Sequence, residues 1–227
     1  MSSETDSPHA PHTTTRRNFL AALLGMPLVS ACDKATKPAT GFDSPIPDEF
    51  RFVRQIPDGS RLENDTSFKK FRDVAPLLDG QPFTLSFITS LCSSPVEGRD
   101  MLCDKMAKAL AAVSKSNPAT KHVVISALPG ADYYGGLWGA LHSKGLSPDN
   151  TIILFPTENG KVDGMPLDGK LVAKIQNNLQ LPNDSATNFS AHSAAISYYS
   201  GAGKLCGIRQ WREAINSPSM PEECRSR

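Results

Sequence analysis

The sequence predicts an α/β domain with a mainly parallel central sheet, flanking helices and a C-terminal antiparallel hairpin. Three observations predict it. Short apolar or alternating runs of strand length occur at 82–89, 122–128 and 151–155. Segments with helical spacing separate them, and strands joined through helices run parallel. Two later runs, Ala194 to Tyr199 and Lys204 to Ile208, flank Gly201-Ala202-Gly203 and read as a hairpin.

Each element has its own warrant. Phe50 to Val53 reads as a short strand ahead of the Pro57-Asp58-Gly59 turn. Phe83, Leu85 and Phe87 alternate as the buried side of a strand does. Leu102, Met106, Ala109, Leu110 and Val113 line one helical face. His122 to Leu128 is rich in β-branched residues, which suit a pleated surface. Tyr133 to Ser143 predicts a helix weakened by Gly135, Gly136 and Gly139. Thr151 to Phe155 is continuously apolar, as a strand covered on both faces is. Leu167 to Leu179 predicts a helix with Leu167, Leu171, Ile175 and Leu179 on one stripe, and Arg209 to Ile215 a last one. Pro218 and Pro221 close the domain. The order β-α-β-α-β-α-β-β-α is the thioredoxin-like plan with one added helix and strand in the middle. That domain is expected over 71–216, with a tail at 217–227. Its chemistry is expected at the end of the first core strand, where Cys92 lies.

The N-terminus bears on where such a domain works. Thr15-Arg16-Arg17-Asn18-Phe19-Leu20 has the twin-arginine pattern of bacterial export, with Arg16 and Arg17 as its signal pair. The apolar run that follows, to Val29, is about half the length of a membrane-spanning helix and is interrupted by Gly25 and Pro27. It ends in Val29-Ser30-Ala31-Cys32, the form of a lipoprotein processing box. The expectation is a signal peptide over 1–31 and lipidation of Cys32; a soluble export signal with an incidental cysteine is the alternative. Residues 32–70 then form the lipidated cysteine and a flexible tether, rich in turn-formers such as Pro38, Gly41, Pro45 and Pro47. Asp33 favours retention at the inner membrane. The expected location is the cell envelope, anchored to the cytoplasmic membrane and facing the periplasm.

Composition narrows the partners. Lys and Arg number 24 against 23 Asp and Glu, a formal net charge of +1, which argues against nucleic acid. Five cysteines are present, and an exported compartment permits disulfides. Cys206 and Cys224 read as a disulfide fixing the tail, or as unpaired thiols. His122 and His142 are expected at the surface, and Tyr133, Tyr134 and Trp138 in packing. Lys105, Lys108 and Lys115 read as a solvated helix face.

Asp79-Gly80-Gln81 with the strand after it, Ser90-Leu91-Cys92, Cys103-Asp104-Lys105-Met106, Ser126 with Pro129 and Asp132, and Ala191-His192-Ser193 with Ile196, Tyr198 and Gly203 together resemble the Sco/SenC family. The resemblance spans roughly Val74 to Ile208. It implies a thioredoxin-like copper-handling protein that assists cytochrome c oxidase assembly, with copper ligands at Cys92, Cys103 and His192. It also implies a copper-containing respiratory enzyme as client. The chain departs from the family in the wide spacing of Cys92 and Cys103, and in Leu128, Ala131 and Ala191 at positions usually held by Asp, Arg and Asp.

The donor set has its own logic. Two thiolates favour Cu(I), and an imidazole beside them admits Cu(II). The loop after the first core strand and the loop before the hairpin meet at one end of such a sheet, which would bring Cys92 and His192 together. Cys103 has two readings. If Asp100 caps the helix, Cys103 lies in its first turn, where the helix dipole favours thiolate. If Ser94 caps and Pro95 and Glu97 complete the start, Cys103 lies two turns in, beside Met106 and Leu110, as an inert core thiol. Cys92 and Cys103 also suit a structural disulfide, and His192 an ordinary loop position. A thiol redox or peroxiredoxin-like enzyme using Cys92 and Cys103 is the alternative function. A thioredoxin-fold lipoprotein without a site is the third.

Overall fold

The computed structural model describes residues 41–58, 61–65, 67–90, 102–134, 136–181 and 194–225. Among them, seven strands form one sheet: β1 (Arg51–Asp58), β2 (Arg61–Asp65), β3 (Phe83–Ile88), β4 (Lys121–Ser126), β5 (Thr151–Thr157), β6 (Ala195–Tyr199) and β7 (Leu205–Gln210). Their spatial order is β2-β1-β5-β4-β3-β6-β7. Strands β3, β4 and β5 run parallel; β6 is antiparallel to β3, and β7 to β6. The helices are α1 (Ala75–Leu78), α2 (Leu102–Ser116), α3 (Pro129–Asp132), α4 (Gly136–His142), α5 (Lys170–Asn178), α6 (Trp211–Asn216) and α7 (Glu222–Arg225). A parallel β3-α2-β4 unit beside a β6-β7 hairpin that ends in a helix is the thioredoxin-like fold. Strand β5 and helix α4 are the expected additions in the middle.

Strand alternation builds two cores. Phe83, Leu85 and Phe87 of β3 join Val123, Ile125, Ile152 and Leu154 under Val172 and Ile175 of α5. Ile88, Val124, Ile153 and Phe155 point the other way, against Met106, Leu110 and Val113 of α2 and Leu137 and Leu141 of α4. Because helices cover both faces, every residue of β3 is buried, which is why its run is apolar at both parities over 85–88 except Ser86. Helix α2 runs without Gly or Pro until Asn117-Pro118, where the proline ends it. The tail is held by the Cys206–Cys224 disulfide, with Cα atoms 5.6 Å apart, so of the two expectations for these cysteines the paired one holds.

Several expectations are corrected. His122 is fully buried rather than at the surface: it shares a face with Val124, and its neighbours across the sheet are Thr84 and Thr151. A residue that opens a central strand is covered by the strands on either side. His142 is exposed, as expected. Tyr134, expected in packing, is 87% exposed, its ring edge-on to that of Tyr133. The helix expected over 133–143 is α4 alone, Gly136–His142, and the separate single turn α3 precedes it at Pro129–Asp132. Leu167, placed on the stripe of the third helix, is 83% exposed, because α5 begins only at Lys170, after the Asp168 carboxylate accepts from the Lys170 amide at 3.1 Å. Within 32–70, Arg51–Asp58 and Arg61–Asp65 pair as β1 and β2, and β1 pairs with β5, so the sheet reaches well ahead of residue 71. Ile46 is fully buried, and Asp43 donates its amide to Ala202. Lys108 and Lys115 are solvated as expected, while Lys105 lies 5.1 Å over the Trp211 ring.

Candidate functional site

Strand β3 runs out through Thr89 and Ser90, two residues before Cys92. That exit is fastened by Asp132, the last residue of α3, whose side chain is fully buried. Its Oδ1 accepts from the Thr89 hydroxyl at 2.9 Å, the Ser90 amide at 2.8 Å and the Ser90 hydroxyl at 2.6 Å. Its Oδ2 accepts from the Ser126 hydroxyl at 2.6 Å. A carboxylate taken from water needs such donors, since an unpaired buried charge is far more costly than a paired one. The ends of β3 and β4 are thereby joined through one side chain.

Helix α3 is itself braced. Gly130 donates its amide to Pro166 at 3.1 Å, and a Cβ there would lie 3.1 Å from the Pro166 carbonyl oxygen and would push the exposed Leu167 side chain aside. The Tyr133 carbonyl accepts from Gln55 at 2.9 Å, and its hydroxyl bonds Asn64, tying α3 to the β1-β2 hairpin. Gly136, the first residue of α4, leaves room for Ser90: a Cβ would lie 2.6 Å from the Ser90 Oγ.

Cys103 is 3% exposed and lies in the apolar cluster with Met106, Ala107 and Leu110. It also borders a cleft of about 560 Å³ lined by Thr89, Ser90, Asp104, Gly136, Gly139 and Lys144, among others. The cleft thus runs between the exit of β3 and the first described turn of α2. At its edge Asp104 pairs with Lys108 at 2.7 Å and Lys144 at 2.5 Å. Hydrogen bonds from these two ammonium groups hold the Asp104 carboxyl below its ordinary range.

Cys92 and His192 lie outside the described residues, as do Cys32, Arg16, Arg17 and both candidate helix caps, Ser94 and Asp100. The fold fixes where their neighbours are. Because Leu85 pairs with Ser197 in an antiparallel register, β6 begins at the end of the sheet where β3 finishes. The chain therefore enters β6 from His192 at the end where it leaves β3 toward Cys92. Among the described residues no group of three His, Cys, Asp or Glu side chains could hold a metal ion, and no helix is long and apolar enough to cross a membrane.

Asp132 is the member of this region that residue-type reasoning passed over, although it belongs to a quoted motif. The signal was Ser126 and Asp132 at the two ends of a strand-to-helix turn, each polar within an otherwise apolar stretch.

No family model matches the chain, and no curated protein matches it in sequence. Among solved structures it is similar to a SCO1/SenC family lipoprotein from Bacillus anthracis, with a TM-score of 0.49 and 13% identity, over 76% of this chain and 93% of that one. It is similar to a putative electron transfer protein from Aquifex aeolicus, with a TM-score of 0.48 and 14% identity, over 78% and 90%. It is also similar to ScoI of Bradyrhizobium japonicum, solved with copper bound, with a TM-score of 0.39 and 16% identity, over 75% and 96%. The fold assignment rests on the strand order described above.

Proposed function

We propose that this chain is a Sco-like copper-binding protein of the bacterial cell envelope. It would be tethered through Cys32 to the cytoplasmic membrane, and would deliver copper to, or assist assembly of, a respiratory copper enzyme. One observation carries the reading: the exit of β3 toward Cys92, the entry of β6 from His192, and Cys103 beside Thr89 and Ser90 all belong to one end of the sheet. The proposal brings three donors distant in sequence together at that end.

The donor chemistry fits copper as cargo. Cys92 and Cys103 supply soft thiolates and His192 an imidazole, a set that suits Cu(I) and tolerates Cu(II). Transfer proceeds by ligand exchange: a client thiolate binds as a ligand on this chain leaves, with no net redox change. Near-neutral charge lets the client be chosen by contact geometry rather than by a large field.

Copper loading of the full chain tests this. The wild type is expected to hold one Cu(I) per chain, and Cys92→Ala, Cys103→Ala and His192→Ala to lose at least tenfold in affinity. Equal copper binding by the Cys92→Ala or His192→Ala protein would overturn the reading. The same placement of Cys103 also serves a thiol redox enzyme. Rapid peroxide reduction that depends on Cys92 would favour that function instead.

A further inference from the structure

We propose that Asp132 is the positioning residue of this site: its carboxylate fixes the direction in which the chain leaves β3, and so where Cys92 is presented. The inference rests on the reading of Cys92 as a functional thiol. The geometry behind it is an asymmetric grip. Oδ1 holds three donors, all on Thr89 and Ser90, and Oδ2 holds Ser126 on the neighbouring strand. A carboxylate serving only to join β3 to β4 needs one bond to each. Here the surplus falls on the two residues that lead out to Cys92, and it engages the Ser90 backbone as well as its side chain. The Ser90 side chain is closed in from the other side by Gly136. Helix α3, which carries the carboxylate, is braced by Gln55, Asn64 and Pro166. The reference point is therefore stiff where the chain leaves β3. The charged groups described at this end are Asp104, Lys108 and Lys144, and the Asp104 carboxylate pairs with both ammonium groups.

The test measures alkylation of Cys92 by iodoacetamide at fixed pH in the reduced full chain, by peptide mass spectrometry, with Cys103 as an internal standard. Asp132→Asn keeps an oxygen for the three donors, and its amide can donate to the Ser126 hydroxyl, which also accepts. It is expected to leave the Cys92 rate within about twofold of wild type. Asp132→Ala and Ser90→Ala are expected to move that rate at least tenfold, toward its value in the urea-unfolded chain, while Cys103 stays protected. Ser126→Ala removes the bond to β4 alone and is expected to leave the Cys92 rate unchanged. The proposal is overturned if Cys92 reacts alike in wild type and Asp132→Ala. It is equally overturned if Ser126→Ala matches Ser90→Ala, or if Cys103 becomes reactive together with Cys92, since either makes Asp132 a general support of the fold. A Cu(I)-chelator competition separates this from the copper reading. If wild type binds no Cu(I), the copper reading fails while the alkylation rates still decide the role of Asp132.

Discussion

The two ends of the β3-β4 pair treat buried polar groups in opposite ways. At the exit end, Asp132 is buried and its oxygens accept four hydrogen bonds from three residues. At the entry end, His122 is equally buried, yet only its Nδ1 has a partner, the Thr84 hydroxyl at 2.9 Å. Its Nε2, and the Thr151 hydroxyl on the adjacent strand, have none among the described residues. One end is an organised network and the other a tolerated imperfection. Burial alone therefore does not distinguish the two ends; what does is the saturation of Asp132 by Thr89, Ser90 and Ser126, against a His122 Nε2 with no partner among the described residues.

The largest expected effect comes from breaking the exit network. Asp132→Ala removes the acceptor of four hydrogen bonds, one of them from the fully buried Ser126 hydroxyl, and a buried donor left without its acceptor costs about 1–3 kcal/mol. Urea unfolding should show a loss of at least about 3 kcal/mol. A loss under about 1 kcal/mol would mean that water replaces the carboxylate and that the two ends are alike.

The entry end should reveal itself through pH. Burial lowers the His122 pKa from 6.5 to about 4. The unfolded chain then takes up its proton on passing below pH 6.5, while the folded chain does so only near 4. Stability is intact above that window and is lost as pH falls through it, by about 3 kcal/mol at the bottom. The measurement is denaturant unfolding from pH 7 to 4, with His122→Val as reference, which should flatten that part of the profile. Identical slopes in the two proteins would show that His122 reaches a partner when charged.

The smallest effects compare two glycines of α4. Gly136→Ala places a Cβ 2.6 Å from the Ser90 Oγ, whereas Gly139→Ala meets nothing within 4 Å. The first should cost about 1–3 kcal/mol by forcing Ser90 off Asp132. The second should gain about 0.5–1 kcal/mol from helix propensity. Thermal unfolding of both variants checks this, and equal effects would remove Ser90 from the network.

Much of the architecture was legible because apolar spacing is a direct record of burial. The alternation in β3, the apolar run of β5 and the face of α2 each named their element. Strand β2 carried no such record: Arg61-Leu62-Glu63-Asn64-Asp65 is mostly polar and is a strand because it pairs with β1 at the sheet edge. Leu167 misled because its spacing matched the stripe of α5, while the local turn at Asp168 starts that helix three residues later. His122 misled because a polar residue at a strand start reads as exposed unless its cross-strand neighbours are known. The ligands proposed at Cys92, Cys103 and His192 come from residue types alone, and of the three only Cys103 is among the described residues. Asp132 was visible only as part of a motif, because a carboxylate's role depends on donors that approach it from two other segments.

Copper ligation by Cys92, Cys103 and His192 is decided by X-ray absorption at the copper edge of the Cu(I)-loaded full chain. Sulfur with one nitrogen is expected around the metal, the sulfur contribution falling in Cys92→Ser and Cys103→Ser and the nitrogen lost in His192→Ala. A shell of oxygen and nitrogen alone, or one unchanged by Cys103→Ser, would contradict it.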